Sequence, residues 1–147
     1  MTQNLLDINF LLAMAWPNHV HHSLARTWFH ENKHKGWATC PITQMGFVRI
    51  SSNPSFSTES VSVSQASVHL KAITTHSEHH FWQDELPFIH EILSCLFVMG
   101  HRQVTDAYLL SLAVHYDGCL ITLDQGISNL LPHNSSWSKH LVVVKAG

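Results

Sequence analysis

Short apolar runs that do not alternate with polar residues constrain the fold of this chain more than any other feature. Such runs lie at 3–6, 37–40, 119–123 and 141–144, and residues 79–82 form a fifth candidate strand. A strand with one solvated face alternates, whereas an unalternating run is buried on both faces, as in a parallel sheet. Because helical segments separate the runs, the sequence predicts an α/β sandwich around a short, mainly parallel sheet of four or five strands.

A helix that carries Asp106 in its first turn is predicted to be the central helix of the fold. It runs on to Val114 and is apolar almost all round, which is typical of a buried helix. Only Arg102 stands nearby in the sequence to neutralise the Asp106 carboxylate. A charge buried where a helix begins costs free energy unless it is paired, so we expect a cation from outside the chain to bind there.

Helices are also predicted in the other segments between the runs. For the segment 19–33, Asn18 is the expected N-cap, and Val20, Leu24 and Trp28 form the expected buried stripe. Strands and helices alternate without a linker or a repeat, which predicts one domain over residues 1–147. The remaining predicted helices lie at 9–14, 43–50, 62–75 and 125–131, and residues 87–99 are expected to be irregular or to form one helical turn.

Two further aspartates stand at the expected carboxyl ends of strands. Asp7 follows the first run, and Asp124 follows the run that begins at residue 119. Ligands of open parallel sheets bind outside the carboxyl ends of the strands, so Asp7, Asp106 and Asp124 are expected to form one site. Gathered carboxylates repel one another unless a cation intervenes, and oxygen-only ligands suit Mg²⁺ or Mn²⁺. Taken singly, each aspartate can instead be a turn former or a helix cap, as for Asp124 ahead of Gly126.

The charge of the chain gives little support for a nucleic-acid partner. Charged residues make up 12% of the sequence and the net charge is −2, so no strongly basic field is present. The 14 histidines would add positive charge as the pH falls toward their usual pKa of about 6.5. Low charge beside 45% hydrophobic residues favours an oligomer or an obligate protein partner.

The cysteines and the hydropathy pattern predict a cytoplasmic protein. Cys40, Cys95 and Cys119 are odd in number and form no Cys-x-x-Cys pair, and Cys40 and Cys119 sit in strand-like runs where buried, reduced thiols are expected. No stretch approaches the roughly 20 apolar residues of a membrane span. Residues 1–15 lack the basic start and the cleavage site of a signal peptide, so we expect no membrane partner.

Four segments, in order along the chain, resemble the PIN-domain family. They are LLDIN at 5–9, CPITQMGFVRI at 40–50, VTDAYL at 104–109 and ITLD at 121–124. Within that family the resemblance is to the VapC-type toxins of bacterial toxin–antitoxin pairs. It spans nearly the whole chain.

This resemblance implies a fold, an activity and a set of site residues. It implies a PIN-like α/β/α sandwich and an endoribonuclease that uses Mg²⁺ or Mn²⁺ to hydrolyse RNA phosphodiester bonds. It also implies a homodimer that a VapB-type antitoxin holds inactive. By position, Asp7, Asp106 and Asp124 match the catalytic, metal-binding aspartates of the family, and Asn9 and Thr122 match supporting polar positions beside them.

Gln44 and two arginines extend the predicted site. Gln44 stands where the family usually has a further glutamate. Its amide can hydrogen-bond a ligand but brings no charge, which leaves open whether one or two metal ions bind. Arg102 and Arg49 are candidates to contact the RNA backbone, and a surface salt bridge is the alternative role for each.

Three other functional interpretations fit parts of the sequence. A PIN-like module that binds RNA or a partner protein without cutting is suggested by Gln44 and by the near-neutral charge. A phosphatase with a nucleophilic N-terminal aspartate would usually need a second acid where Asn9 stands, so this hypothesis ranks last. A zinc site at His19, His21 and His22, together with His79 and His80, lacks a cysteine or acid at matching spacing, and we expect the helix-face histidines to be solvated.

Overall fold

Five short strands form the sheet of the computed structural model, which describes residues 3–146. The strands are β1 (Asn4–Leu6), β2 (Trp37–Thr39), β3 (His79–Phe81), β4 (Cys119–Thr122) and β5 (Leu141–Val143). They lie in the order β3-β2-β1-β4-β5, and every neighbouring pair is parallel. The predicted parallel sheet is therefore confirmed with five strands, and the first strand of the chain lies at its centre.

Helices pack on both faces of the sheet, which confirms the predicted sandwich. The helices are α1 (Ile8–Ala15), α2 (His22–Asn32), α3 (Pro41–Ser51), α4 (Val63–Thr74), α5 (Glu91–Ser94) and α6 (Val104–His115), and 3-10 turns occupy 33–35, 101–103, 125–130 and 136–140. The helix α6 lies on one face of the sheet, and α1 to α4 lie on the other.

Adjacent residues of the central strand β1 belong to two different cores. Leu5 packs on the α6 side with Leu109, and Leu6 packs on the opposite side with Phe10 and Phe47. Successive side chains of a strand point to opposite faces, so burial on both faces requires apolar residues at consecutive positions. This explains why the run does not alternate.

The helix α6 is buried along most of its length, as its sequence predicts. Every residue from Ala107 to Ala113 is buried, including the hydroxyl residue Ser111. Ser111 Oγ donates a hydrogen bond to the Ala107 carbonyl oxygen at 2.8 Å, so its polar group is satisfied within the helix. The one carboxylate of this helix, Asp106, lies in its first turn at the margin of the core.

The predicted start of α2 was wrong by three residues. The helix begins at His22, and the Asn18 side chain donates to Ser57 Oγ at 3.1 Å instead of capping a helix. Val20 is 86% exposed, and the buried positions of α2 are Ala25 and Phe29. Asn18 therefore hydrogen-bonds a residue that is distant in the sequence, and the local sequence does not predict this partner.

Three smaller predictions also have an outcome. Cys40 is buried and Cys119 is half-buried, while Cys95 is exposed, and all three are free thiols. Within residues 3–146, the helices are too short or too polar for any of them to cross a bilayer. The segment 87–99 is mostly irregular and contains the single turn α5.

Candidate active site

Asp7 lies at the carboxyl end of the central strand and caps the helix that follows. Its Oδ1 accepts a hydrogen bond of 2.7 Å from the Ile8 backbone N–H at the start of α1. Its Oδ2 accepts one of 2.7 Å from the hydroxyl of Thr122, the last residue of β4. Asp7 is only 3% exposed, so these two donors fix a carboxylate that is almost fully buried.

Thr122 and Asn9 connect the ends of β1 and β4 around this carboxylate. Besides donating to Asp7, Thr122 Oγ1 accepts from Asn9 Nδ2 at 3.1 Å and from the Asp124 backbone N–H at 3.0 Å. Asn9 Oδ1 in turn accepts from the Leu123 backbone N–H at 3.1 Å. Both residues that were predicted to support the aspartates therefore hydrogen-bond within the same network.

A shallow cavity of about 250 Å³ opens beside Asp7. Asp106 lines it from the first turn of α6, and Arg49 lines it from the last turn of α3. Asn9 and Thr105 contribute polar surface to the same cavity. Two carboxylates and one guanidinium thus share one opening at the carboxyl end of the sheet.

The carboxylates of this region disfavour one another's charge. Burial and, to a smaller extent, the negative charges of Asp7 and Asp124 together raise the pKa of Asp106 to about 6. Burial also raises the pKa of Asp7, partly offset by the hydrogen bonds from Thr122 and Ile8. A bound cation would relieve this repulsion, and carboxylate oxygens are the ligands that Mg²⁺ and Mn²⁺ prefer. The donor set therefore fits a hard divalent ion.

Asp124 stands at the edge of the candidate site. It is exposed, and its Oδ1 accepts a hydrogen bond of 2.8 Å from the Gly126 backbone N–H, which is the turn-forming role considered above. It does not line the cavity, although its charge acts on both Asp7 and Asp106. Within residues 3–146, no three His, Cys, Asp or Glu side chains converge closely enough to enclose an ion. Asp7 and Asp106 thus form the centre of the candidate site, with Asp124 beside it.

Gln44 and Arg102 lie outside the cavity. Gln44 Nε2 donates to Thr39 Oγ1 at 3.0 Å, and its side chain lines a separate apolar groove between α3 and α4. Arg102 lies exposed on the 3-10 turn before α6. Of the two candidate arginines, Arg49 is the one at the cavity, and only a three-dimensional arrangement could distinguish them.

We expect Thr122→Val to destabilise the protein by about 2 kcal/mol at neutral pH. The change keeps the volume but leaves a buried carboxylate oxygen without its donor, and it leaves the Asn9 amide without its acceptor. Urea unfolding measures the loss. Thr75→Val, at the exposed threonine that directly follows α4, is the matched control and should stay within about 0.5 kcal/mol of wild type. Equal losses in the two variants would contradict the role of Thr122.

Comparison with known proteins finds close relatives in sequence and a related fold in structure. The chain is 44% identical over 126 residues to the ribonuclease VapC39 of Mycobacterium tuberculosis, covering 85% of this chain and 91% of that protein. It is 40% identical over 126 residues to the ribonuclease VapC38 of the same organism, covering 86% and 88%. A crystal structure of VapBC2 from Rickettsia felis, bound to a DNA fragment from their promoter, matches 98% of this chain and all of that chain with a TM-score of 0.63 at 13% identity. No protein-family model matches the chain.

Proposed function

Since this chain belongs to the VapC ribonuclease family, we propose that it is a metal-dependent endoribonuclease that hydrolyses RNA phosphodiester bonds. The observation that carries the proposal is the cavity at the carboxyl end of the sheet, where Asp7, Asp106 and Arg49 meet. Two carboxylates with raised pKa values suit a divalent cation, and the guanidinium suits a phosphate. These are the two charged components of a metal–phosphodiester complex.

Different residues of the cavity would bind the metal ion, orient its ligand and bind the phosphate. Asp7 and Asp106 would hold Mg²⁺ or Mn²⁺, with Asp124 close enough to add negative charge. When bound, the ion supplies positive charge that polarises a phosphodiester and lowers the pKa of water. Thr122 keeps the Asp7 carboxylate in a fixed orientation, so little reorganisation is needed when ligands arrive. Arg49 would bind a phosphate of the RNA backbone and so fix its register.

We further propose that the chain is the toxin of a toxin–antitoxin pair and that a VapB-type antitoxin inhibits it. Membership of the VapC family supports this assignment, because the resemblance to VapC-type toxins implies a VapB-type antitoxin, and the protein of related fold is a VapBC complex. The homodimer and the cytoplasmic location stay predictions. Size-exclusion chromatography with light scattering, run with and without the antitoxin, measures the first of them.

RNA cleavage by the purified chain tests the proposed activity. We expect a 5′-labelled RNA to be cut when Mg²⁺ or Mn²⁺ is present, to stay intact in EDTA, and to be cut again when the metal is restored in excess. Calcium is a useful control, because it binds carboxylates but prefers a more flexible coordination geometry. Cleavage that persists in EDTA would contradict the metal dependence.

A non-cleaving module that binds RNA or a partner protein is the second candidate. One observation favours it: Gln44 is neutral and is hydrogen-bonded to Thr39, so it adds no charge to the aspartate cavity. The same assay separates the two functions. RNA that is retained in a gel-shift experiment but stays uncut with every metal tested would favour the binding module.

A further inference from the structure

The helix α3 contains a glycine, Gly46, at the point where it packs against Ile8 of α1. Gly46 is buried, and a glycine inside a helix costs about 1 kcal/mol relative to alanine. A Cβ atom at this position would lie 2.7 Å from Ile8 Cγ1 and 3.3 Å from Ile8 Cγ2, and it would come still closer to Ile8 Cδ1. The close approach of Ile8 therefore explains why a residue without a side chain stands here.

Ile8 also forms part of the wall of the aspartate cavity. It directly follows Asp7, and its half-buried side chain lines the cavity of about 250 Å³. On its inner side the same side chain packs against the core that α1 to α4 cover. The Ile8 side chain thus lies between a closed core, the bare surface of Gly46 and an open cavity.

The two helices that meet at this contact are linked to each other and fixed in the core. Trp16, which directly follows α1, donates from its Nε1 to Ser51 Oγ at the end of α3 at 2.9 Å. Phe47 of α3 is fully buried and stacks on the Trp16 ring, with centroids 5.8 Å apart. The start of α1 is held by the 2.7 Å hydrogen bond from the Ile8 N–H to Asp7 Oδ1. A side chain added to the glycine would therefore displace the Ile8 side chain more readily than either helix.

We propose that Gly46 is a positioning residue that keeps the aspartate cavity open, because it leaves space outside the cavity for the Ile8 side chain. A larger residue at this position would turn that side chain into the cavity, which is the open space that Ile8 borders. Mg²⁺ usually keeps several of its waters, so a bound ion needs room beside the carboxylates. The effect on metal and RNA rests on the proposed function, whereas the effect on Ile8 rests on packing alone.

A double-mutant cycle between residues 46 and 8 tests this role. We expect Gly46→Ala to weaken Mn²⁺ binding roughly tenfold, measured from the free Mn²⁺ signal in electron paramagnetic resonance, and to slow RNA cleavage by a similar factor. In an Ile8→Ala background, which removes the three nearest atoms, adding Gly46→Ala should change either quantity less than about twofold. Ile8→Val removes only Cδ1 and should rescue in part. Gly100→Ala is the matched control, because no described atom lies within 4 Å of its added Cβ.

Methyl NMR in EDTA separates this inference from the proposed function. The loss of one signal in Ile8→Val identifies the Ile8 δ1 methyl group. In Gly46→Ala we expect that signal to shift and to gain a nuclear Overhauser contact with the methyl group of Thr105, which lines the same cavity. A wild-type chain that binds no Mn²⁺ would contradict the proposed metal site, and the methyl measurement would still decide the role of Gly46.

Three outcomes would overturn the role of Gly46. An Ile8 methyl group that keeps its wild-type signal and contacts in Gly46→Ala would do so, as would equal Mn²⁺ affinity in Gly46→Ala and Gly100→Ala. A loss of Mn²⁺ affinity that is just as large in the Ile8→Ala background would mean that the added methyl group disturbs α3 itself rather than Ile8.

Discussion

An Asp106→Asn variant is expected to lose RNA cleavage by roughly a thousandfold while its metal-free form becomes more stable than wild type. The loss follows because Asp106 is one of two carboxylates that line the proposed metal cavity. The gain follows because the carboxylate of Asp106 is buried beside the charges of Asp7 and Asp124. Asparagine has almost the same shape and carries no charge to desolvate.

The pH dependence of this stability gain has a definite sign. Folding raises the pKa of Asp106 from 3.8 to about 6, so the ionised form is less favourable in the folded protein than in the unfolded chain. The penalty is complete above pH 6 and disappears as the pH falls through 6 toward 3.8, where both states are protonated. Partial exposure and the favourable position at a helix start reduce it, which leaves a gain on the order of 1 kcal/mol at neutral pH.

Thermal unfolding in EDTA measures the gain in stability, unfolding with Mg²⁺ measures the loss of metal binding, and the RNA cleavage assay described above measures the loss of activity. The variant should melt roughly 2–4 °C above wild type at pH 7.5 and level with it near pH 4. Mg²⁺ should then stabilise wild type and not the variant, because a ligand stabilises only the state that binds it. Asp117→Asn makes the same chemical change at an exposed aspartate with a φ of 54°, which asparagine also adopts readily. A less stable Asp106→Asn protein in EDTA would contradict the carboxylate repulsion.

The parts of the fold that follow local rules could be predicted from the sequence. The unalternating run at 119–123 predicts a strand that is buried on both faces, and α6 is apolar almost all round. The sequence therefore predicts that both elements lie in the interior. Ser62 caps α4 with the reciprocal hydrogen bonds to Gln65 that a serine and a glutamine three residues apart favour. The start of α2 could not be predicted, because Asn18 bonds to a residue 39 positions away.

Only part of the candidate site could be predicted from the sequence, since Asp7 and Asp106 line the cavity while Asp124, Gln44 and Arg102 do not. Asp7 and Asp124 each follow a strand, and the carboxyl ends of parallel strands meet at one edge of the sheet, which is why one site was predicted there. Thr122, which donates to Asp7, was predicted only through the resemblance to the PIN-domain family. The direction of a long side chain depends on neighbours that the sequence does not place. Gln44 bonds to Thr39, and Arg49 rather than Arg102 lines the cavity, for this reason. The apolar run at 37–40 predicts that Trp37 is buried, but it does not predict that the indole N–H lacks an acceptor within residues 3–146.

Gly118→Ala is expected to destabilise the protein by about 3 kcal/mol, a large part of the 5–15 kcal/mol that holds a typical domain folded. Gly118 directly precedes the strand β4. A Cβ atom there would lie 2.5 Å from the backbone carbonyl oxygen of Gln3 and 2.6 Å from the ring of Trp82. The Gln3 carbonyl accepts the 2.9 Å hydrogen bond from the Cys119 N–H that begins the pairing of β1 with β4. Moving it would add a lost hydrogen bond to the cost of overpacking.

Gly100→Ala is the matched control for this variant, because no described atom lies within 4 Å of its added Cβ. Urea unfolding should place the control within about 0.5 kcal/mol of wild type and should lower the midpoint of Gly118→Ala strongly. Similar midpoints for the two variants would mean that the Trp82 ring and the Gln3 carbonyl move aside at little cost. Trp82 is stacked on Tyr116 with centroids 4.5 Å apart and donates to Gln3 Oε1 at 2.8 Å, so both neighbours of Gly118 belong to one connected contact. Moving the Trp82 ring or the Gln3 carbonyl would therefore weaken the other contacts of this group. The strand that would be disturbed is β1, which Asp7 follows.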